Sequence, residues 1–436
     1  MTDIVFLLFN LFICLFFIYK KNAAILAYIV LIQEVHLIPF DNLGFSSLGH
    51  IYYIFIAILF YFVYTNGEIS KKRILYIFSD YVVFSIVLLI LAFFLHLSIL
   101  GLQTEASVNL TFRFFSQIVP VLIYIVLVLE RKTFLEELAP GIMIFGVLLF
   151  FILLLSSDIL SMAAIRRGFF REEVGMSPIA VSRVGGIMFI TALFMFLDQK
   201  KSRYKILLIA VMLVSLLMLV IGMSRGPLIA LIISLLVYFL FSEGDKIKRI
   251  LFLSVSFTAL FMLIVLIYDY LNIDTLLVYT ERLESLQNYE NMRRFRRYIL
   301  SIDFLKNEFG LFTVYFLFGL GPAGFANYFG MGYAHNIIVE YVFEFGFLGI
   351  LSITIFSVIS MIYGYKIIRS NLPKRFHYIP VIFMFLYLAG MVSGDFIGRR
   401  NLLFISLFQV MLVYYYYPLI NPNQKRLKNL IKRKDG

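Results

Sequence analysis

The stretch from residue 335 to residue 365 reads HNIIVEYVFEFGFLGILSITIFSVISMIYGY. Its charged or titratable polar residues are His335, Glu340 and Glu344, and most of the rest is apolar. Apolar runs of about 20 residues or more are typical of membrane-spanning helices. Barrel strands are shorter and alternate strictly between apolar and polar residues, and this stretch does not. It therefore predicts a transmembrane helix.

Similar runs recur along the chain. Hydrophobic residues make up 62% and charged residues 15%, with a mean hydropathy of +0.94. A soluble domain is nearer half apolar and a quarter charged, so a soluble enzyme, a disordered chain and a disulfide-rich secreted module are excluded. The single cysteine, Cys14, excludes a disulfide framework and a thiolate metal cluster. The predicted spans, thirteen with the stretch above, are 4–19, 23–40, 51–65, 76–100, 110–129, 137–156, 178–197, 204–222, 226–241, 250–268, 335–365, 377–393 and 400–418.

The distribution of positive charge predicts the orientation of these spans. One alternating set of loops, together with the C-terminal tail, holds 24 of the 38 lysines and arginines, and the opposite side holds 14. Cytoplasmic loops are enriched in Lys and Arg, so the first set is predicted to be cytoplasmic. The C-terminus is then inside and the short N-terminus outside. If one of the first predicted spans is wrong, only the predicted side of the N-terminus changes.

The predicted fold is all-α, a polytopic transmembrane helix bundle of about 12–13 spans with a large helical periplasmic loop. The first span is expected to be retained, because no small-residue cleavage site follows it. The organisation runs from N-terminal transmembrane helices (1–156) to a first periplasmic loop (157–177) and central transmembrane helices (178–268). A large periplasmic loop (269–334), C-terminal transmembrane helices (335–418) and a basic cytoplasmic tail (419–436) follow.

The positive charges on the outer side are unusual in kind, since 13 of the 14 are arginine. Arginine presents a planar fork that matches phosphate and carboxylate groups, whereas lysine is a point charge. Ion pairing or contact with lipid headgroups explains any single arginine equally well, but explains the whole set less well. The candidate ion-pair partners are Asp158, Glu172, Glu173, Glu281, Glu284 and Glu290.

The large outer loop contains a predicted amphipathic helix from about Thr280 to Lys306, because apolar residues recur there every three or four positions. It either lies on the membrane headgroups or holds an anionic, lipid-linked substrate at the surface. Its basic residues are Arg293, Arg294, Arg296 and Arg297.

Three features are candidates for chemistry. His335 lies where the large loop re-enters the membrane, and Glu340 and Glu344 follow four residues apart. Histidine titrates near working pH and suits a general base, although a helix-capping or interfacial role explains it as well. The step Ser224-Arg225-Gly226, called the SRG step below, joins two spans at the outer face. Arg183 lies about one turn into its span from the same side, and a buried arginine requires a partner.

Two other patterns are weighed and set aside. Gly319 to Gly324 matches GxGxxG formally, but a dinucleotide site requires a preceding strand and a following helix. We interpret these glycines as a turn. The basic tail is interpreted as a membrane anchor and not as a nucleic-acid patch. His96 is interpreted as an ordinary polar residue. No metal motif occurs, so no metal and no cofactor are expected.

The late segment resembles the O-antigen ligase and Wzy-type O-antigen polymerase superfamily. The family pattern GxGxxxF … AHN … E … GxxG is matched from Gly319 through Ala334-His335-Asn336 to Gly346 and Gly349. The SRG step resembles the family's SRG step that opens a span. Arg294 with Tyr298 resembles the family's R…W helix, with tyrosine in place of the usual tryptophan. The resemblance covers roughly residues 160 to 350.

The resemblance implies a multi-pass bacterial inner-membrane glycosyltransferase, acting at the periplasmic face without a metal or a nucleotide sugar. His335 would take a proton from the acceptor hydroxyl, and Arg225 and Arg294 would bind the donor diphosphate. Arg293, Arg297 and Arg183 are further candidates for that clamp, with supporting roles for Glu340, Glu344 and Tyr298. The tyrosine and the four neighbouring arginines leave the choice within 293–297 open.

The implied partners are an undecaprenyl-diphosphate-linked glycan and membrane lipids, with a chain-length regulator and a flippase as further candidates and no nucleic acid. We expect a polysaccharide polymerase, because such polymerases share this Phe-, Ile-, Tyr- and Lys-rich composition. The alternative within the family is a ligase that transfers the glycan to lipid A-core. The alternative from another class is a lipid-linked oligosaccharide flippase or transporter, which would carry broken helices and polar sites near the midplane.

Overall fold

The computed structural model describes part of the chain. The described residues are 11–12, 14–20, 46–65, 79–100, 107–108, 111, 115, 134–156, 178–221, 225–243, 297, 299–301, 303–304, 307, 313–330, 336–392 and 400–416. Within them the structure is all-helical and has no strand. The predicted all-α helix bundle is confirmed.

The helices follow one another in chain order. The first six are α1 (Ser46–Thr65), α2 (Tyr81–Leu100), α3 (Phe134–Ser156), α4 (Pro178–Asp198), α5 (Ser202–Ile221) and α6 (Arg225–Phe241). The next two, α7 (Val314–Phe318) and α8 (Gly324–Phe329), are short. The last three are α9 (Ile337–Ile368), α10 (Tyr378–Val392) and α11 (Arg400–Tyr415), with a 3-10 turn at Lys374–Phe376 before α10.

Five of the described segments are long and apolar enough to cross a membrane. Apart from a break in Ile337–Ile368, their backbone groups are hydrogen-bonded within the helix, which is what hydrocarbon requires. The chain is therefore a helical membrane protein. The five are Tyr81–Ser98, Ile179–Asp198, Ser202–Leu219, Ile337–Ile368 and Lys374–Val392.

Helices α2 and α9 pack antiparallel. At one end of the α2–α9 pair, the Tyr363 hydroxyl donates to Asp80 Oδ2 at 2.7 Å. Toward the other end, the ring centroids of Phe93 and Phe345 are 6.0 Å apart. Helix α2 therefore runs in the direction opposite to α9.

Helix α10 contacts α9 at one end of the bundle and α6 at the other. At one end, Asn336 Nδ2 donates to the carbonyl of Met391 at 3.1 Å. At the other, the Tyr238 hydroxyl lies 3.2 Å from His377 Nδ1, close to the Lys374 turn. We call these the Asn336 end and the Lys374 end.

The two ends carry different basic residues among the described positions. The Lys374 end holds Lys200, Lys201, Arg203, Lys205, Lys366, Arg369, Lys374 and Arg375. The Asn336 end holds Arg183 near the start of α4, Arg225 as the first residue of α6 and Arg400 as the first residue of α11. Apart from Lys20, which these contacts do not place, the described lysines thus lie at one end.

Helix α9 departs from the single uninterrupted span that the sequence predicts. It leaves helical geometry at Gly346, where φ is 57° and ψ is −141°. A glycine within an apolar run does not by itself predict such a break. The cause lies in another segment, which packs against the break from outside the helix.

Candidate functional site

The segment that packs against the break is the glycine turn, residues 319–324. Helix α7 begins after Thr313, whose Oγ1 accepts a hydrogen bond from the Phe316 amide at 3.0 Å. It ends at Gly319, whose φ of 72° is in the region that favours glycine. No strand precedes this turn within the described residues, so the geometry is that of a turn and not of a dinucleotide-binding loop.

The glycine turn supplies hydrogen-bond donors to the broken helix. The Leu320 amide donates to the carbonyl of Phe343 at 2.6 Å, and the Gly321 amide donates to the carbonyl of Glu344 at 3.0 Å. A break in a membrane helix leaves carbonyl groups without their usual donors, and an unpaired carbonyl in an apolar medium is costly. The turn satisfies two of them.

Close backbone packing explains the glycines on both sides of this contact. A Cβ on Gly319 would lie 2.5 Å from the carbonyl carbon of Glu344. A Cβ on Gly346 would lie 2.6 Å from both the Gly319 nitrogen and the Phe316 oxygen. Gly319 and Gly346 both have positive φ, so a side chain is disfavoured twice at each position. The family-like glycines at 319 and 346 are thus two halves of one contact.

Two buried carboxyl groups lie beside the turn. Glu340 and Glu344 are each 2% exposed, on successive turns of α9. Glu344 Oε1 accepts a hydrogen bond from the Ala323 amide at 3.1 Å. Ala323 has a φ of 60°, which is uncommon for a residue with a Cβ. The Glu344 carboxyl group therefore stabilises a strained residue at the start of α8.

Helix α2 and the segment after it hold the turn from the opposite side. The Ser107 hydroxyl donates to the carbonyl of Pro322 at 3.0 Å, and Asn327 Nδ2 donates to Ser107 Oγ at 3.2 Å. His96, 3% exposed, packs against Gly321, since a Cβ there would overlap its imidazole ring. Sequence reasoning missed His96 and Ser107, and the only available signal was a polar residue near the end of an apolar span.

The SRG step and the residue after His335 meet at one place. Asn336 caps α9, since its Oδ1 accepts from the amides of Ile338 at 3.0 Å and Val339 at 3.3 Å. Its Nδ2 binds the carbonyl of Met391. The next residue, Val392, approaches Gly226, because a Cβ on Gly226 would lie 3.7 Å from the Val392 Cβ. Two segments about 110 residues apart thus contact adjacent residues of α10.

Helix α4 and helix α5 pack closely beside this place. The Ser182 hydroxyl donates to the carbonyl of Leu219 at 3.2 Å, near the end of α5 that leads to the SRG step. A Cβ on Gly185 would lie 2.7 Å from the carbonyl oxygen of Ser215. The half-buried Arg183, between Ser182 and Gly185, is therefore held at the Asn336 end near the start of α6.

Two arginines begin helices at this end. Arg225 and Arg400 are the first residues of α6 and α11, and neither helix has an acidic residue in its first turn. A cation there meets the positive end of the helix dipole, at a cost of roughly 0.3–1 kcal/mol each. An anion bound beside these helix starts would offset this cost.

The remaining predicted site residues are only partly described. His335, Arg293, Arg294 and Tyr298 lie outside the described residues, as does the 157–177 loop, and for Arg225 only the backbone is described. Arg297 is helical, and its carbonyl accepts a hydrogen bond from the Ser301 hydroxyl at 2.7 Å. In the same predicted helix, the Phe304 ring lies 5.0 Å from that of Phe343 on α9. The helix after Arg297 therefore docks beside the glycine turn.

Metal coordination was expected to be absent. Within the described ranges, no three His, Cys, Asp or Glu side chains converge on a point that could hold a metal ion. Because His335 and much of the large loop lie outside those ranges, a metal-free site stays a prediction.

No family model matches the sequence, and no curated protein is significantly similar to it. The resemblance to the O-antigen ligase and polymerase superfamily therefore rests on the motif residues of the sequence alone.

Proposed function

We propose that the protein is a metal-independent membrane glycosyltransferase, a polysaccharide polymerase of the Wzy type. It transfers a growing glycan from undecaprenyl diphosphate to a lipid-linked repeat unit. The observation that carries the proposal is the meeting of two distant segments at Met391 and Val392. Asn336, the residue after His335, donates a hydrogen bond to the carbonyl of Met391. Gly226, the residue after Arg225, packs against Val392.

The orientation follows from the charges at the two ends. Lysine-rich loops favour the cytoplasm, so the Lys374 end faces inward and the Asn336 end faces the periplasm. The lipid-linked donor then lies in the outer leaflet of the bacterial inner membrane, with its diphosphate at the level of the Asn336 end. Arg225 and Arg183 come from α6 and α4, and Arg293, Arg294 and Arg297 from the large loop.

The reaction is a single displacement. His335 takes the proton of the acceptor hydroxyl, and the hydroxyl oxygen forms a bond to the anomeric carbon of the donor. The bond from that carbon to the diphosphate oxygen breaks, with inversion, and undecaprenyl diphosphate leaves with the electron pair. Arginine forks stabilise the charge that develops on the leaving group, as a metal ion does in other transferases.

One observation favours the transporter alternative. Helix α9 is broken beside two buried glutamates, which is an arrangement found at transport sites. In a transporter, however, the freed backbone groups line a cavity and bind the cargo. Here the carbonyls of Phe343 and Glu344 are bound by the glycine turn. Because these carbonyls are already hydrogen-bonded within the protein, they are not available to bind a cargo. This favours the enzyme over the transporter.

The test uses His335→Ala and Arg225→Ala in cells that lack the native protein, with the surface glycan separated on a gel. We expect loss of long chains at normal protein abundance. Arg203→Ala is the matched control, because Arg203 also lies in the first turn of a helix but at the Lys374 end. Full-length polymer in both test variants would overturn the catalytic assignment.

The same gel separates the alternatives. A polymerase defect leaves single repeat units attached to lipid A-core. A ligase defect instead leaves polymer on undecaprenyl diphosphate, unattached. Failure to deliver any lipid-linked unit to the periplasmic face would identify a flippase.

A further inference from the structure

A groove of about 610 Å³ lies between α2 and α9, toward the Lys374 end of the pair. Among the described residues, one wall is the start of α2, with Tyr81 and Phe84, and the other is α9, with Ile355 and Val358. Tyr81, Phe84 and Val358 are exposed, and both helices contain a segment long and apolar enough to cross the membrane. The groove therefore faces lipid and not the interior of the bundle.

The groove follows from how the two helices are joined. The Ser352 hydroxyl donates to the carbonyl of Ser85 at 2.7 Å, and because serine is short, the backbones approach closely there. Nearer the Lys374 end, the link is the long side chain of Tyr363, whose hydroxyl donates to Asp80. The residues that line the groove lie between these two levels on both helices. The pair is thus held tightly at one level and bridged by a longer link at the other.

The inner part of the groove suits an acyl chain. No charged residue occurs from 81 to 95 in α2 or from 345 to 365 in α9. Side chains that border an empty space lose their dispersion contacts on that side, so a groove facing lipid is more stable when hydrocarbon fills it. The volume is within the range of roughly 300–1,000 Å³ that is common for ligand sites.

The outer part of the groove is polar. Ser79 lines it, and the bond between Asp80 and Tyr363 lies beside it. The Lys366 Nζ is 5.9 Å from the centroid of the same Tyr363 ring. Lys366 is exposed, and within the described part of the chain it forms no ion pair. A lipid whose acyl chain occupies the groove would therefore have its headgroup close to an ammonium group.

Two opposite charges lie near this headgroup position, and only one is available. The Asp80 carboxyl group accepts hydrogen bonds from the Tyr363 hydroxyl at 2.7 Å and from the Val82 amide at 2.8 Å. The Lys366 ammonium group has only the ring contact. One lysine near the membrane surface favours an anionic lipid by about fivefold. Phosphatidylethanolamine has an ammonium group of its own beside its phosphate, so it gains less.

We propose that this groove binds an anionic phospholipid of the cytoplasmic leaflet. One acyl chain lies between α2 and α9, and the phosphate lies beside Lys366. The leaflet follows from the lysines at this end of the bundle. The site is at the opposite end from the candidate diphosphate site, and the inference does not depend on the proposed function.

The chain contains no tryptophan, so a single introduced tryptophan reports on one place. Phe84→Trp places it in the groove. Phe94→Trp is the matched control, because both phenylalanines lie on α2 and are 49% exposed, while Phe94 does not line the groove. The purified full-length variants are placed in nanodiscs of equal parts phosphatidylglycerol and phosphatidylethanolamine. Bromine on the acyl chains of one lipid or the other quenches the tryptophan on contact.

The ratio of the two quenching values measures which lipid lies next to the tryptophan. We expect a ratio of about five in favour of phosphatidylglycerol for Phe84→Trp, and of about one for Phe94→Trp. Adding Lys366→Gln to Phe84→Trp should lower its ratio to about one, whereas adding Lys205→Gln, an exposed lysine at the same end, should not. Adding Val358→Phe should reduce quenching by both lipids, because the larger side chain fills the groove.

The outcomes decide the proposal. Equal ratios at positions 84 and 94, or a ratio unchanged by Lys366→Gln, would overturn it. Weak quenching by both lipids in Phe84→Trp itself would mean that protein covers the groove, which overturns it as well. If Phe84→Trp does not accumulate, Tyr81→Trp reports on the same groove with the same expected ratio. Because no readout involves glycosyl transfer, absence of transferase activity would contradict the proposed function alone.

Discussion

At the Lys374 end most of the described basic residues are lysine, whereas at the Asn336 end they are all arginine. Arg375 pairs with Glu136 at 3.2 Å, with both side chains about half exposed (42% and 50%). Lys205 lies over the ring of Phe196, with its Nζ 5.2 Å from the ring centroid. Such exposed contacts contribute at most about 1 kcal/mol each. Membrane topology alone accounts for these charges.

The Asn336 end combines fewer cations with more buried structure. Its described cations are all arginine, and two of them start helices. The half of α9 that begins at this end also contains the break, with the glycine turn packed against it, and the buried Glu344. The difference teaches that net charge alone says little about a membrane protein. Under the proposed function, the type of basic residue distinguishes an anchoring end from a binding end.

Among the predicted changes, Gly346→Ala should have the largest effect, because it disrupts the contact at the break in α9. A Cβ there would lie 2.6 Å from two backbone atoms, at a φ of 57°. We expect a loss of more than about 3 kcal/mol in the free energy of unfolding, so that the variant fails to accumulate. Size-exclusion chromatography of a fluorescent fusion measures this. Gly330→Ala, with open space around it, should cost about 1 kcal/mol and serves as the control.

Substituting arginine by lysine at each end separates charge from the shape of the fork. We expect Arg225→Lys to lower the transfer rate about 100-fold, because lysine cannot bind a diphosphate bidentately. Arg203→Lys should leave the rate unchanged. The measurement is the rate of polymer formation by each variant in lipid nanodiscs. Equal rates for the two variants would mean that the ends do not differ in function.

Substitutions of Glu344 show whether its carboxyl group acts as a hydrogen-bond acceptor or through its negative charge. Glu344→Leu leaves the Ala323 amide without its acceptor, which costs about 1–3 kcal/mol for a buried donor. Glu344→Gln retains a side-chain oxygen and should melt close to the wild type. Thermal unfolding in detergent measures both. A glutamine variant as unstable as the leucine variant would show that the carboxylate charge itself is required.

The smallest expected effect is at Asp80, near the Lys374 end. Burial raises the pKa of its carboxyl group, and hydrogen bonds from Tyr363 and Val82 lower it in part. A raised pKa in the folded state means that this group's stabilising contribution is present at low pH and declines as the pH rises through that pKa. Asp80→Asn lacks this titration, so its melting temperature relative to the wild type should increase between pH 4 and pH 7. A difference independent of pH would contradict the assignment.

The sequence predicts the helices well, because long apolar runs leave no alternative in lipid. It also places the glycine turn, since glycines and a proline interrupt the pattern between residues 319 and 324. It misses the break at Gly346, because that break depends on Gly319 approaching from another segment. It misses His96 for the same reason. The contact of His96 with Gly321 joins residues more than 200 positions apart, and one sequence carries no signal of such a pairing.

One measurement tests the central claim at the SRG step, that this step meets the end of α10 on the periplasmic side. A Cβ on Gly226 would lie 3.7 Å from the Val392 Cβ, which is close to the mean spacing of a disulfide. The protein would carry Gly226→Cys and Val392→Cys with Cys14→Ala, and a protease site inserted between the two positions. After cleavage, a disulfide keeps the two fragments together on a non-reducing gel.

Because disulfides form in the periplasm and not in the cytosol, the bond should form in cells without added oxidant. The single-cysteine variants should not show it. A bond that forms only in isolated membranes with oxidant would place this end on the cytoplasmic side. No bond under either condition would contradict the claim that the two segments meet.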